Sequence, residues 1–402
     1  MIYKKLKELC ILKNGYAFKS KDFSQNGVPV IKIKNVKPNK IVLEGLSYVP
    51  QEIADSKLEY KISKGDILIT MTGNRADGSP DSWVGKVALF REEGTYLLNQ
   101  RLAIIRPISD DVDLEYLAYY LSSWETQLYF IKRANSSGGQ ANISPSIVGE
   151  YDIALPNKNV QMKIASLLRD FDLKIRLNAN INNNLLEQVQ TLYRNRFVDT
   201  VNNERRICRA DEYFDISIGK TPPRKEPQWF STNPQDVTWV SISDMGTCGL
   251  YISSSSEQLT KEAVDRHNVK IVPDNTVLLS FKLTVGRIAI TNGEMTTNEA
   301  IAHFKTDKKE INEYLYCYLK CFNYQTMGST SSIATAVNSK IIKEMPFVVP
   351  IDDELMDFHS VAAPIFAKIK ANQTESENLT AVRDTLLPKL MSGELDVSDI
   401  DL

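Results

Sequence analysis

The same helical stretch occurs twice in this chain at a fixed separation, and any fold must accommodate both copies. The first runs from Gln161 to Phe197 and the second from Leu355 to Met391. A shift of 194 positions lays Ile164, Leu168, Phe171, Ile175, Leu185 and Leu192 on Phe358, Ala362, Ile365, Ile369, Leu379 and Leu386. The same shift lays Asn178 on Asn372. The short steps alternate between four and three, which is the seam of a paired helix and not the alternation of a strand. No insertion interrupts the register, so length is being kept. The polar break midway along both seams predicts antiparallel pairing centred near position 180, with Asn178 beside Ser376 and Asn182 beside Asn372.

The rest of the chain repeats as well. One copy opens at Leu6–Gly15 and the other at Ala210–Gly219. Apolar runs at Val28, Lys64 and Val84 match runs at Val237, Pro273 and Val285, and each predicts a strand. Asn99-Gln-Arg-Leu-Ala matches Asn298-Glu-Ala-Ile-Ala, and a helix follows each at Glu115-Tyr-Leu and Glu313-Tyr-Leu. A polar loop comes next, then a strand closed by Pro156 or Pro350, then the long helix. The predicted class is α+β, with two mixed α/β globules separated by two long antiparallel helices in a pseudo-twofold repeat. The expected divisions are a globule at 1–157, a helix at 158–199, a globule at 200–351, and a helix with an acidic tail at 352–402. The offset drifts from 204 at the glycines to 194 at the prolines, so insertions fall in the globules and spare the helices. Asn157 or Asn159 is the expected cap of the first helix and Asp352 of the second. Pro364 is expected to kink the second helix or delay its start, and Pro388 to disturb its last turn.

Catalytic chemistry is not signalled. His267, His303 and His359 stand in no triad or metal-ligand spacing. Cys10, Cys208, Cys248, Cys317 and Cys321 are odd in number and scattered, as buried free thiols of a reducing compartment are. Gly78 to Lys86 resembles a phosphate loop but has the wrong glycine spacing and Val87 where Ser or Thr is needed. Pro80-Asp81 and Pro273-Asp274 lack the downstream residues of a metal-dependent nuclease, and Ser217-Ile-Gly-Lys220 lacks the companion motifs of a serine nucleophile. No glycine fingerprint follows a strand, so no cofactor pocket is indicated. No leader or membrane span is expected either, which points to the cytoplasm. These exclusions leave a binding scaffold.

Charge is unevenly placed despite a net of −2. The first 40 residues carry 10 lysines against Glu8 and Asp22, whereas the stretch from Asp352 onward holds 11 acidic and 4 basic residues. A basic face attracts phosphate, and an acidic helix suits a protein partner. Thr72, Asn74 and Arg75 surround one glycine turn, and Lys282, Thr284 and Arg287 surround its counterpart, a mix suited to phosphates. Lys132, Arg133, Gln140 and Asn142 in one polar loop, and Thr335, Asn338 and Lys340 in the other, offer cations, hydroxyls and amides that read base edges. Gly15 and Gly219 are expected to serve tight turns.

The duplicated plan, the proline-closed strand before each long helix, Gly219-Lys-Thr-Pro222 and above all Arg383-Asp-Thr-Leu-Leu-Pro-Lys-Leu-Met-Ser-Gly-Glu-Leu395 resemble the specificity subunit of type I restriction-modification systems. The resemblance covers essentially the whole chain. Copy one departs from it, with Gly15-Tyr-Ala-Phe at its opening and Tyr193-Arg-Asn-Arg-Phe197 in place of the Pro-Lys-Leu motif. The resemblance implies two target-recognition domains, each reading half of a split sequence in double-stranded DNA. It implies a chain without catalysis or cofactor of its own. Two methyltransferase subunits would bind S-adenosylmethionine and methylate a flipped adenine, and restriction subunits would add ATP- and Mg-dependent translocation and cleavage. Ile164, Leu168, Ile175, Asn178, Leu185, Leu192, Ile369, Asn372, Leu379, Leu386 and Leu390 are then the spacer and subunit-interface residues. At 35–40 residues each helix would span roughly 50–60 Å, comparable to two turns of B-DNA at about 34 Å each. Two other readings stand beside this one, a structural adaptor whose globules bind peptides and a self-sufficient methyltransferase-nuclease.

Overall fold

The computed structural model describes residues 2–75, 82–137, 139–200, 202, 204–327 and 337–398. Gly78, Pro80, Asp81 and Thr335 lie outside the described residues. The chain divides into two units, one made of Met1–Lys174 with Asn378–Leu402 and the other of Ile175–Glu377.

Unit one is built on an antiparallel sheet in the order Val87–Leu89, Ile67–Thr70, Leu102–Pro107, Cys10–Asn14. Its central strands carry unbroken apolar runs, Ile67–Ile69 and Leu102–Ile105, because both faces are covered there. Side chains alternate across a strand, so Ile67 and Ile69 enter one core while Leu68 enters another. Ala103 and Ile105 divide from Leu102 and Ile104 in the same way. A second sheet, in the order Ser47–Val49, Val28–Ile31, Tyr96–Leu98, Lys61–Ile62, contains one parallel pair, Val28–Ile31 with Tyr96–Leu98. The helix Leu114–Ser122, capped by Asp113, covers the first sheet.

Unit two repeats this plan. Ile288–Thr291, Val277–Ser280, Ile301–Lys305 and Asp215–Ile218 take the same antiparallel order, and Tyr251–Ile252 adds a parallel strand outside Ile288–Thr291. Val277 and Leu279 face one core and Leu278 the other. The second sheet again holds one parallel pair, Val237–Val240 with Thr296–Thr297. One core position differs in kind. His303 stands where unit one has Ile104, and it is fully buried. Its Nδ1 lies 3.0 Å from Ser217 Oγ and its Nε2 lies 2.7 Å from Thr297 Oγ1. Burial first, and then Lys305, lowers its pKa to about 3.

The long helices are Lys158–Tyr193, of 36 residues, and Asp352–Ser392, of 41. Asn157 caps the first, its Oδ1 accepting the Val160 N–H at 3.0 Å. Asp352 is the first helical residue of the second and not its cap; the acids of that turn favour the helix through its dipole, and Glu354 also accepts from Arg205 Nε at 2.9 Å. The helix runs unbroken through Pro364 and Pro388. Pro364 removes one helical hydrogen bond, but Phe358, Ala362, Phe366 and Ile369 around it are buried in the unit-two core. Each is worth roughly 1.5–3 kcal/mol when fully buried, Ala less, which outweighs the proline. Gly393, in the left-handed region at φ +76°, ends the helix.

The helices pair antiparallel in each unit. In unit two, Asn178 Nδ2 donates to Ser376 Oγ at 3.2 Å and Asn372 Nδ2 donates to Asn182 Oδ1 at 2.8 Å, the pairing predicted from the polar break. In unit one, Asp172 accepts from Arg383 Nη1 at 2.6 Å, from Tyr119 Oη at 2.6 Å and from Asn39 Nδ2 at 3.0 Å. That carboxylate ties both helices to the unit-one globule. Gln373 does the corresponding work in unit two, accepting the Tyr251 N–H at 3.0 Å and donating to the Tyr251 carbonyl at 3.1 Å, as a neighbouring strand residue would. Neither residue stands out in the sequence pattern.

Ile164, Leu168 and Leu390 are buried in the unit-one core, with Leu386 packed at its edge. Ile369 is buried in the unit-two core, with Leu185 and Leu192 packed against it. Asn178 and Asn372 are buried, and Ile175 and Leu379 are half-buried. At one seam step Ile365 packs partly buried against the unit-two core, and its neighbour Phe366 is fully buried. The step is set by packing on the globule as well as on the partner helix. Val189 and Tyr193 join the same core and were not among the expected seam residues.

Candidate nucleic-acid interface

In unit one the strand Thr72–Gly73 pairs with Gln140–Asn142, which pairs with Asn135–Ser137. This small sheet gathers residues that lie far apart in sequence. Thr72 Oγ1 donates to Asn142 Oδ1 at 2.8 Å. Asn74 is exposed and donates to Ser82 Oγ at 3.1 Å, while the exposed Arg75 donates to the Ala134 carbonyl at 2.8 Å. Gln140 Oε1 accepts from Arg101 Nη1 at 3.2 Å. Lys132 and Arg133 are exposed at the end of the helix Trp124–Arg133 that leads into the sheet, and Arg133 lies over the Tyr129 ring at 3.6 Å. All seven residues picked from copy one therefore fall on this sheet or its approach. Arg101 is an exposed cation that sequence reasoning passed over, because nothing local distinguishes it.

In unit two the loop after Val277–Ser280 is held from within. Ser280 Oγ donates to the Thr284 carbonyl at 2.6 Å, and Gly286 N–H donates to the Ser280 carbonyl at 3.0 Å. Lys282 and Thr284 are exposed on it. Between them Leu283 is fully exposed with φ +61°, a conformation that a leucine seldom takes. Arg287 is spent inside the protein, donating Nη1 to the Ile242 carbonyl at 2.6 Å and leaning on Gly246. Asn338 is exposed and caps the helix Ser339–Lys343, accepting the Ile341 N–H at 3.0 Å, and Lys340 is exposed on that helix.

Beside each of these regions lies the same turn. Leu102 N–H donates to the Asn99 carbonyl at 3.0 Å in one copy, and Ile301 N–H to the Asn298 carbonyl at 3.3 Å in the other. Gly15 and Gly219 pack directly under these turns. A Cβ on Gly15 would come within 2.2 Å of the Asn99 carbonyl oxygen, and one on Gly219 within 2.2 Å of that of Asn298. Neither glycine has a positive φ, so the expected tight-turn role is replaced by close backbone approach. The turn also touches the candidate loops, since Met71 N–H donates to the Arg101 carbonyl and Phe281 N–H to the Ala300 carbonyl, both at 2.9 Å. On unit two's turn, Glu299 is exposed and accepts from the Thr221 hydroxyl. Partial burial would raise its pKa, but Thr221, its own N–H, Lys282 and Arg224 outweigh that and hold it below the ordinary carboxylate value.

The lysine-rich opening is partly neutralised. Lys4, Lys5 and Lys7 pair with Asp111, Asp152 and Glu150, and Lys13 reaches Glu59. Burial raises the pKa of Cys10 to about 12 and pushes Cys317 higher still, as expected of buried thiols, whereas Cys208 and Cys248 are half-buried and Cys321 is exposed, against that expectation. Among the described residues no helix is long and apolar enough to cross a membrane, and no three His, Cys, Asp or Glu side chains are grouped to hold a metal ion.

The profile of the family described as "Type I restriction modification DNA specificity domain" matches residues 2–187 and again 206–380. The HindI specificity subunit of Haemophilus influenzae is 23% identical over 377 residues, covering 75% of this chain and 81% of that protein. The MjaIX specificity subunit of Methanocaldococcus jannaschii is 27% identical over 366 residues, covering 84% and 79%. The crystal structure of a type I restriction-modification S subunit from M. genitalium shares the fold, with a TM-score of 0.56 at 16% identity over 97% of this chain and 95% of that one.

Proposed function

This chain belongs to the family of type I restriction-modification DNA specificity domains, and from that membership we propose that it reads a split target in double-stranded DNA, one half-site per globule. The observation that carries this reading is the repeat itself. Two units of one strand order each bring a polar turn, a cation and hydroxyl or amide groups to one end of a sheet. Two unlike readers with internal symmetry suit two unlike half-sites, as like readers in a dimer suit a palindrome.

The paired helices act as the spacer, and with the acidic second helix they recruit two methyltransferase subunits and, through them, restriction subunits. Specificity resides in this chain and catalysis in its partners, which would bind S-adenosylmethionine, ATP and Mg. Such a complex works in the cytoplasm. Thr72, Asn74, Arg75, Lys132, Arg133, Gln140 and Asn142 are the proposed DNA face of unit one, and Lys282, Thr284, Asn338 and Lys340 that of unit two. Arg287 supports that face from behind. Much of the affinity would come from phosphates and the partner subunits, given the modest charge of the chain.

The test is methylation by the purified chain, alone and with a methyltransferase subunit. No methylation alone and adenine methylation at one bipartite sequence in company is the expected result. Methylation by the chain alone would support the self-sufficient enzyme, and methylation indifferent to its presence would support the adaptor.

A further inference from the structure

The two matching turns hold the same backbone position but carry opposite chemistry. Unit one presents Gln100 and Arg101, both exposed, and unit two presents the exposed Glu299 followed by the buried Ala300. The backbone bonds to Leu102 and Ile301, and the glycines beneath, make the turns equivalent. Each adjoins its unit's candidate loop through the Met71 and Phe281 amides.

An exposed carboxylate is costly on a surface that approaches phosphates, because like charges repel. Here it is kept, and it is held in place. The Thr221 hydroxyl donates to Glu299, and Lys282 lies close enough to act on its charge. An ionised carboxylate offers acceptors only, so in a DNA groove its partner must be a donor. In the major groove the donors are the exocyclic amino groups, and cytosine N4 is the one that Glu and Asp side chains take. Resting on the reading of the chain as a bipartite DNA reader, we infer that Glu299 is a base-reading residue of the second recognition domain and selects a cytosine by accepting from its N4 amino group. Thr221 is a positioning residue that orients the carboxylate. The Gln100–Arg101 pair holds the same place in the first domain, with donors suited to a purine edge.

The experiment uses the full chain assembled with its methyltransferase subunits. Binding is measured on duplexes in which every base pair of the target is substituted in turn, for the parent chain and for Glu299→Gln and Glu299→Ala. Thermal melting confirms folding, which exchange of an exposed side chain should leave unchanged. Both variants should lose discrimination at one C·G pair of one half-site by about 5- to 150-fold, with the other half-site read as before. Unchanged discrimination at every position would overturn the inference, and so would a uniform loss across all duplexes, which would mark a structural or phosphate role. A parent complex that recognises no bipartite sequence would instead overturn the underlying reading of the chain, and the inference with it.

Discussion

His303 shows how one residue departs from the repeated plan and what that departs from physically. In unit one the equivalent position is Ile104, an ordinary core residue. In unit two the imidazole is fully buried and bridges Ser217 and Thr297. Its pKa is lowered to about 3 from an ordinary 6.5, so the unfolded chain takes up the proton first as pH falls. The stability this site contributes is therefore complete above pH 6.5 and declines below it. The slope should approach about 1.4 kcal/mol per pH unit until the folded-state value is reached. Urea unfolding of the parent chain and of His303→Gln at pH 7 and pH 5 checks this. The variant should be weaker at pH 7 and should lose less on acidification, and equal losses would refute the assignment. The sequence leaves His303 as a structural or a surface residue, because its burial is decided by neighbouring strands whose facing residues, Leu278 and Ser217, lie 25 and 86 positions away in the chain.

At the scale of elements, the strands and long helices were legible because their periodicities are strong. Ile67–Thr70 and Val277–Ser280 lie within the runs expected to form strands, and the asparagine pairing fell on the expected residues. What was not legible depended on contacts that sequence spacing does not encode. Pro364 reads as a helix breaker, yet the core that grips Phe358, Ala362 and Phe366 carries the helix past it. Ile365 fits the seam by its step and packs partly buried, but the step gives no sign that Phe366 beside it is fully buried. Of the candidate interface, the residue types were readable in copy one because its small sheet is formed from two polar stretches. Arg101 and Glu299 were not, since only the fold brings that turn beside the loops. If the helices are the spacer, a seven-residue insertion made in both arms, after Asn182 and before Asn372, should keep their pairing. It should lengthen the gap between half-sites by about 10 Å, or about three base pairs, without altering either half-site. Mapping of methylated adenines in cells expressing the lengthened chain tests this, and a changed half-site would count against it.

At the scale of the molecule, the order of the chain and the order of the units differ. Unit two is one uninterrupted segment, Ile175–Glu377, whereas unit one needs Asn378–Leu402 to join residues made long before. Leu390, Met391 and Val397 are buried in the same core as Leu6, Ile67 and Ile164. During synthesis, at about 5–20 residues per second, unit two can close first, although the residues that begin unit one leave the ribosome earlier. The opening globule must wait, with part of its apolar core exposed, for about 10–40 seconds while the segment from 175 to 377 is made. A stop after Glu377 should therefore leave unit two protected and unit one open to protease, and limited proteolysis with mass mapping would show it. Early digestion of unit two instead would mean that the closing strand of chain serves both. The segment after Glu377 thus acts as a latch on residues made much earlier, and a chain stopped at Glu377 would carry a folded reader for only one half of a target.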